Sequence, residues 1–281
     1  MAVTLKDQLD FFVLFKEWYY QIIANFKFDY RKDCEARDYL SGILTKKVND
    51  WQLEEVLFSF KKLIQSRSNI FIFGCGPSLE DTVNFVLNYS RKEFFNDSIN
   101  LAADGASVLL GAKGIHIHGI FTDLDGITKK QFNRSDFMIV HAHGDNIDKL
   151  KYFEKYILNH KNIIGTTQVE PSENLVNPGG FTDGDRILFF LRTLLLAKHK
   201  LFLIGMDFDS VVGKYSKPKM DTNRDADPIK KAKLKYAVRL IKWFITINNN
   251  PIYFVNSKIA SKRFTYISIE ELEKKLQPDS L

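Results

Sequence analysis

The chain is poor in the residues that mark several familiar protein classes. Among 281 residues there are two cysteines, Cys34 and Cys75. Two isolated thiols make neither a disulfide framework nor a zinc-ligand spacing, and they fit a reducing, cytoplasmic setting. No long apolar run is present. The most apolar stretch, Ile187 to Met206, is broken by Arg192, Lys198, His199 and Lys200, so no membrane span is expected. The first residues lack the form of a signal peptide, because Lys6, Asp7 and Asp10 interrupt them. There is no internal repeat and no low-complexity tract. A general excess of one charge is also missing. The net charge is +6, and the stretch from Gly213 to Arg239, with nine Lys or Arg and three Asp, accounts for all of it. A nucleic-acid binder usually shows a broader basic face and a recognisable module, so no nucleic-acid partner is expected.

What the chain does have is enough apolar content, 45%, for a substantial core. Residues 1–67 read as helical. Phe11, Leu14, Phe15, Trp18, Tyr19, Ile22 and Phe26 recur at helical spacing, and further helices are predicted over Glu35 to Leu44 and Trp51 to Ile64. The aromatic stripe reads as core rather than as a cofactor site. This region is expected to be a helical appendage packed on the remainder of the chain, and it offers a surface for a homo-oligomer. From residue 68 onward, short apolar runs alternate with helices. Strands are predicted over Asn69 to Phe73, Asn100 to Ala103, Ile115 to Phe121, Phe137 to Ala142, Asn162 to Gly165, Lys200 to Gly205 and, last, Ile252 to Val255. Helices are predicted over Asn146 to Leu158, Thr182 to Ala197, Pro228 to Thr246 and Ile267 to Lys275. That alternation implies an α/β domain over 68–281, with a mostly parallel sheet and helices on both faces. The basic segment 207–235 begins with a long stretch of no clear secondary structure, as lids often do.

The chemistry centres on Phe121-Thr122-Asp123-Leu124-Asp125-Gly126. In extended backbone, residues i and i+2 share a face, so Asp123 and Asp125 would point together and Leu124 inward. Ligands of open α/β sheets bind beyond the carboxyl ends of strands. Two carboxylates there suit Mg²⁺, which fills its remaining positions with phosphate and water. The alternative is an ordinary surface turn.

Neighbouring loops add to the pattern. Gly74-Cys75-Gly76-Pro77-Ser78 lets backbone approach an anion at a helix start, the favoured reading, though a tight turn explains it too. It lacks both the third glycine of a dinucleotide fingerprint and the Gly-Lys ending of a P-loop. Asp104 ends the second strand and reads either as a ligand-binding carboxylate or as an N-cap. Gly179, Gly180 and Thr182 open a helix that carries Asp183, Asp185 and Arg186, again an anion-binding form. His143, Asp145 and Asn146 follow the fourth strand as candidate substrate contacts, and Asp207 follows the strand after Lys200. The repeated His-x-His spacing, His116/His118 and His141/His143, invites a zinc site. The first pair lies within a strand and the second at a strand end, which argues against their meeting. Lys214, Lys217, Lys231 and Lys235 are placed to close over a polyphosphate.

Six motifs in order carry a family resemblance: Gly74 to Glu80, Ala103 to Ala106, Thr122 to Gly126, Val140 to Asn146, Gly179 to Arg186 and Gly205 to Phe208. Together they resemble the MptE-like archaeal 6-hydroxymethyl-7,8-dihydropterin pyrophosphokinases, whose sheet is similar to that of thiamine pyrophosphokinases (Rossmann-like). The resemblance implies diphosphate transfer from ATP to the hydroxymethyl group of a dihydropterin with release of AMP, serving tetrahydromethanopterin or folate-type cofactor synthesis. On that reading Asp123 and Asp125 hold Mg²⁺ and act with Asp183. Gly74, Gly76, Pro77, Ser78, Asp104, Gly179, Gly180, Thr182 and Lys214 contact ATP. His143, Asp145, Asn146 and Asp207 contact the pterin. A nucleotide-sugar glycosyltransferase would use the same Asp-x-Asp pair, and a non-catalytic nucleotide-binding protein is a third reading.

Overall fold

The computed structural model describes residues 3–47, 51–89 and 93–276. Both expected ranges, 1–67 and 68–281, include a few residues outside these. Four helices come first: α1 (Leu5–Leu9), α2 (Phe12–Phe26), α3 (Tyr30–Thr45) and α4 (Leu53–Gln65). Next come β1 (Asn69–Phe73), α5 (Leu79–Tyr89), α6 (Glu93–Asn96), β2 (Ile99–Ala103), α7 (Ala106–Ala112), β3 (Ile117–Thr122), β4 (Ser135–Ala142), α8 (Ile147–Asn159), β5 (Ile163–Thr167) and β6 (Leu175–Val176). The last part holds α9 (Asp183–Leu191), β7 (Lys200–Ile204), β8 (Val211–Val212), β9 (Arg224–Asp225), α10 (Pro228–Ile247), β10 (Ile252–Val255), β11 (Thr265–Ile267) and α11 (Ile269–Leu276).

Nine of these strands form one sheet in the order β11-β10-β7-β1-β2-β3-β4-β5-β6. Every neighbouring pair is parallel. The expected α/β fold with a parallel sheet is therefore present. The chain walks one way from β1 to β6, then returns to place β7 on the free side of β1 and continues outward. The reversal falls between β1 and β7, and ligands of such sheets bind beyond the carboxyl ends of the strands.

The strands lack alternation because both faces are covered. Phe71 and Phe73 of β1 meet Phe95 of α6 on one face, with ring centroids 5.2 and 5.6 Å apart. Phe121 of β3 points to the other face, against Phe60 of α4 at 6.3 Å and Phe190 of α9 at 5.4 Å. Gly119 makes room there, since a Cβ would stand 3.1 Å from Leu101 and 3.4 Å from Phe60. The N-terminal helices thus pack directly on the sheet and share its core. Phe11, Phe15 and Trp18 stack on Trp243 of α10, and the Trp51 indole donates to the Ile163 carbonyl at 3.0 Å.

Three details depart from expectation. The helix expected to run to Ala197 stops at Leu191 and passes into turns. Ile252–Val255 is not the last strand, because β11 pairs beside it. Strands β6, β8 and β9, two residues each, carry no sequence signal, since so few residues have no period to read. Among the described residues no helix is long and apolar enough to cross a membrane.

Candidate active site

Strand β3 ends at Thr122, and the acidic pair sits in a turn rather than in extended chain. Leu124 has φ +72° and is fully buried. Its N–H donates to Thr122 Oγ1 at 2.7 Å, and Asp125 N–H donates to Asp123 Oδ1 at 3.2 Å. The two carboxylates do meet, but through this turn, which corrects the extended-strand account. Asp104, at the end of β2, joins them. It adopts φ +47°, a conformation Asp tolerates better than most residues. Its Oδ1 accepts from Thr122 Oγ1 at 2.6 Å, so its carboxylate is not the N-cap of α7. One oxygen each of Asp104, Asp123 and Asp125 lies within 4.8 Å of the others. Gly126 is required beside them, because a Cβ would stand 1.9 Å from Asp104 Oδ2.

The charges in this cluster are unequal. Burial, then the charge of Asp123, pushes Asp104 well above the usual carboxylate range. The same two causes raise Asp183 to about 7. Burial also works against Asp123, yet the His143 hydrogen bond and charge, the Asp125 N–H and Arg186 bring it down to about 2. Asp123 is thus ionised beside Asp104 and Asp183, both of which resist ionisation. A divalent cation bound by oxygen donors would relieve that repulsion, and all the donors here are oxygen.

The two glycine turns are built alike. Gly74 N–H donates to Ile204 O at 2.8 Å and Gly76 N–H to Gly205 O at 2.7 Å, knitting the ends of β1 and β7 together. Asp207 Oδ2 then accepts from Ser78 N–H at 2.8 Å and Ser78 Oγ at 2.7 Å. At the second turn, Gly179 and Gly180 have φ +85° and +87°. There Asp185 accepts from Phe181 N–H at 2.5 Å, Thr182 N–H at 3.1 Å and Thr182 Oγ1 at 2.7 Å. Each helix start is therefore closed by a carboxylate of the chain itself. Ser78 and Thr182, expected to face phosphate, spend their donors on Asp207 and Asp185. Asp183 stays at the mouth, with Arg186 Nη1 3.2 Å from its Oδ1.

The basic segment crosses this edge. A Cβ at Gly213 would stand 2.1 Å from the Cys75 carbonyl, so the segment lies on the first turn. Lys214 Nζ pairs with Glu80 Oε2 at 2.5 Å, and Tyr215 donates to Glu80 Oε1 at 3.0 Å. Lys217 Nζ contacts Asp125 Oδ2 directly. The Lys231 and Lys235 ammonium groups make no described contact with the cluster. Their neighbours on α10 do interact with it electrostatically: Lys230 with Asp183, and Lys233 with Asp123, Asp145 and Asp125.

Beyond β4, His143 Nε2 stands 3.4 Å from Asp123 Oδ2. Asn146 is buried and ties two loops together, donating to Asp123 O at 2.9 Å and His141 O at 2.7 Å. Asp145 is exposed, and its carboxylate has no hydrogen-bond or ion-pair partner among the described residues. His116 and His118 sit at the opposite edge of the sheet, near Asp136, far along the strands from His141 and His143.

Comparison with known proteins places this geometry. A family model described as 6-hydroxymethylpterin diphosphokinase MptE-like matches residues 44–212. The chain belongs to the MptE-like family. It is 35% identical over 230 residues to a 6-hydroxymethyl-7,8-dihydropterin pyrophosphokinase of Pyrococcus furiosus, covering 81% of this chain and 91% of that one. Proteins of the same name from Methanothermobacter thermautotrophicus and Methanocaldococcus jannaschii are 37% and 36% identical, over 80% and 81% of this chain and 91% and 94% of theirs.

The MptE-like match takes in the acidic cluster and both glycine turns but leaves out α1, α2, most of α3 and α10. One residue missed by sequence reasoning lies in that remainder. Asp33 of α3 is 3% exposed. It accepts from Tyr19 Oη at 2.6 Å, Gln168 Nε2 at 2.8 Å and Gly144 N–H at 2.7 Å. It thereby fixes the loop that presents His143 to Asp123. A signal for it exists: Asp33 falls in the buried stripe Ala36, Leu40, Ile43, Leu44 of a helix predicted to start two residues later.

Proposed function

We propose that this chain transfers a diphosphate from ATP to the hydroxymethyl group of 6-hydroxymethyl-7,8-dihydropterin, with Mg²⁺ held by Asp104, Asp123 and Asp125. The carrying observation is the meeting of these three carboxylates, within 4.8 Å, at the carboxyl edge of an MptE-like sheet. Bound there, the metal would neutralise and orient phosphate oxygens. Such transfers depend mostly on positioning and on offsetting phosphate charge.

The chain's own residues supply the rest. The alcohol oxygen attacks the β-phosphorus in line. A new O–P bond forms, and the bond from the β-phosphorus to the bridging oxygen breaks. AMP leaves with that electron pair, and the alcohol proton passes to a base. Asp183, beside the cluster and with its proton affinity raised by burial and Asp123 in the metal-free protein, is the carboxylate we assign to take it. Lys214, Lys217 and Lys230 provide the cations that face the polyphosphate. With Ser78 and Thr182 engaged by Asp207 and Asp185, ammonium groups rather than turn hydroxyls carry its recognition. Lys217, which contacts Asp125 here, would exchange that carboxylate for phosphate oxygens if Asp125 held a metal.

The test is direct. The protein is incubated with ATP, Mg²⁺ and 6-hydroxymethyl-7,8-dihydropterin, and the products are weighed by mass spectrometry. Pterin diphosphate with one AMP per product is expected. ADP as the only nucleotide product, or an unchanged pterin, overturns the reading. Turnover of a sugar nucleotide instead would make the chain a glycosyltransferase.

A further inference from the structure

The surfaces beside the two glycine turns differ in chemistry. Beside the first glycine turn lies a polar cavity of about 270 Å³, lined by Gly76, Pro77, Glu80, Lys214, Tyr215 and Asn223 among others. Beside the second turn the surface is aromatic. Phe181 follows Gly180 directly and is half-buried. Phe28, in the link between α2 and α3, is also half-buried, with its ring centroid 6.4 Å from that of Phe181. Lys233 reaches over both rings from α10, its Nζ 5.3 Å from one centroid and 5.8 Å from the other. No carboxylate pairs with Lys233 at ion-pair distance among the described residues, although its charge is felt by Asp123, Asp145 and Asp125. This ammonium, partly buried over two rings that also pack on Phe26, has no carboxylate at ion-pair distance among the described residues to hold its charge. Asp145 in the same surroundings also has no partner.

We propose that Phe28, Phe181 and Lys233 form the acceptor subsite, in which the flat ring system of a fused heteroaromatic alcohol lies against the two phenyl rings. Its hydroxymethyl arm passes Lys233 toward Asp123, and Asp145 takes the hydrogen-bond donors on the ring edge. ATP then approaches the carboxylates from the side of the first glycine turn, away from the aromatic surface. This rests on the diphosphate-transfer reading above, which it deepens by naming where the acceptor sits. Phe28 and Lys233 both lie outside the residues matched by the family model. Stacking on an aromatic face suits a flat bicyclic ring, whose π-face matches the phenyl surface.

The test uses the full chain and the variants Phe28→Ala, Phe28→Leu and Lys233→Met. Calorimetry with 6-hydroxymethylpterin, in the presence of Mg²⁺ and a non-hydrolysable ATP analogue, gives the acceptor Kd. Steady-state transfer gives separate KM values for pterin and ATP. Phe28→Ala and Lys233→Met are expected to weaken pterin at least tenfold and leave the ATP KM within twofold. Phe28→Leu, which keeps the volume and loses the π-face, is expected to fall between wild type and Phe28→Ala. Unchanged pterin affinity in Phe28→Ala and Lys233→Met, or an equal loss for both substrates, overturns the subsite. The two readings separate cleanly. Wild-type protein that binds pterin in a Phe28-dependent way but makes no diphosphate product keeps the subsite and loses the reaction. Transfer with a pterin KM insensitive to both variants does the reverse. Wild-type protein that neither binds nor transfers overturns both.

Discussion

Strand β3 carries a candidate metal-binding trio near each end, and the two are opposite in character. At its amino end, His116 Nε2 pairs with Asp136 Oδ2 at 2.8 Å. His118 accepts from Asn100 N–H through Nδ1 at 3.0 Å and has Arg67 3.2 Å from Nε2. Burial, then the charges of His116 and Arg67, lowers His118 to about 4, so it stays neutral at physiological pH. These ligand atoms already have protein partners, and a fixed cation stands beside them. At the carboxyl end, Asp104, Asp123 and Asp125 repel one another, and their neighbours only partly offset that. Lys217 reaches one of the three, and His143 another. Proximity of ligand-type residues is common to both ends. Repulsion among carboxylates, only partly offset, belongs to one, and it supports the proposal of a metal there rather than at the other end.

Four experiments break or sharpen this contrast, from the largest effect to the smallest. Asp123→Asn is expected to lower the rate of AMP release by about a thousandfold, with the circular dichroism spectrum unchanged. Near-normal turnover in that variant makes the two ends of β3 equivalent. Asp33→Ala leaves three donors facing an empty space, at a cost of about 1–3 kcal/mol for each left unpaired. Its melting temperature should fall by several degrees, and Mn²⁺ affinity by electron paramagnetic resonance should weaken, because His143 loses its hold near Asp123. Asp33→Asn, which keeps one acceptor oxygen and turns the other into a donor, should recover only part of both.

The third experiment reads the repulsion through pH. Asp183 has its proton affinity raised from 3.8 to about 7 by burial and Asp123. Between those values the native protein keeps a proton that the unfolded chain has released. In chelator, unfolding free energy should therefore fall as pH rises from about 4 to about 7, by up to about 1.4 kcal/mol per unit, and flatten above. Urea melts across that range test it, and Asp183→Asn should flatten the slope. The smallest effect belongs to the amino end. Because the His116–Asp136 pair is exposed, Asp136→Asn should change stability by less than about 1 kcal/mol and turnover by less than twofold.

Much of this is legible in the sequence, for identifiable reasons. The parallel sheet shows in unbroken apolar runs such as Asn69–Phe73, which has the same limits in the structure. Carboxylates at strand ends stand out because loops after Ala103 and Thr122 gain acid where the core stops. Some features depend on tertiary pairing and leave no local trace. Asp207 and Asp185 look like any rim carboxylates until Ser78 and Thr182 are seen donating to them. The left-handed backbone of Leu124 contradicts its residue type and follows from the hydrogen bond to Thr122. The aromatic stripe of α2 reads as core, and it is; its partner Trp243 lies more than two hundred residues away, where no local pattern points to it.

The distribution of the shared core has a practical consequence for anyone who shortens this protein. Cutting to the span that the family model matches, 44–212, would remove the layer that keeps Phe121, Phe137 and Phe190 dry only in part, since Phe60 stays. It would strip away Trp243 and the Phe11 and Phe15 rings stacked on it, and leave Phe189 bare. Such a fragment would display a greasy flank and aggregate, and its silence in an assay would say nothing about the carboxylates it still contains.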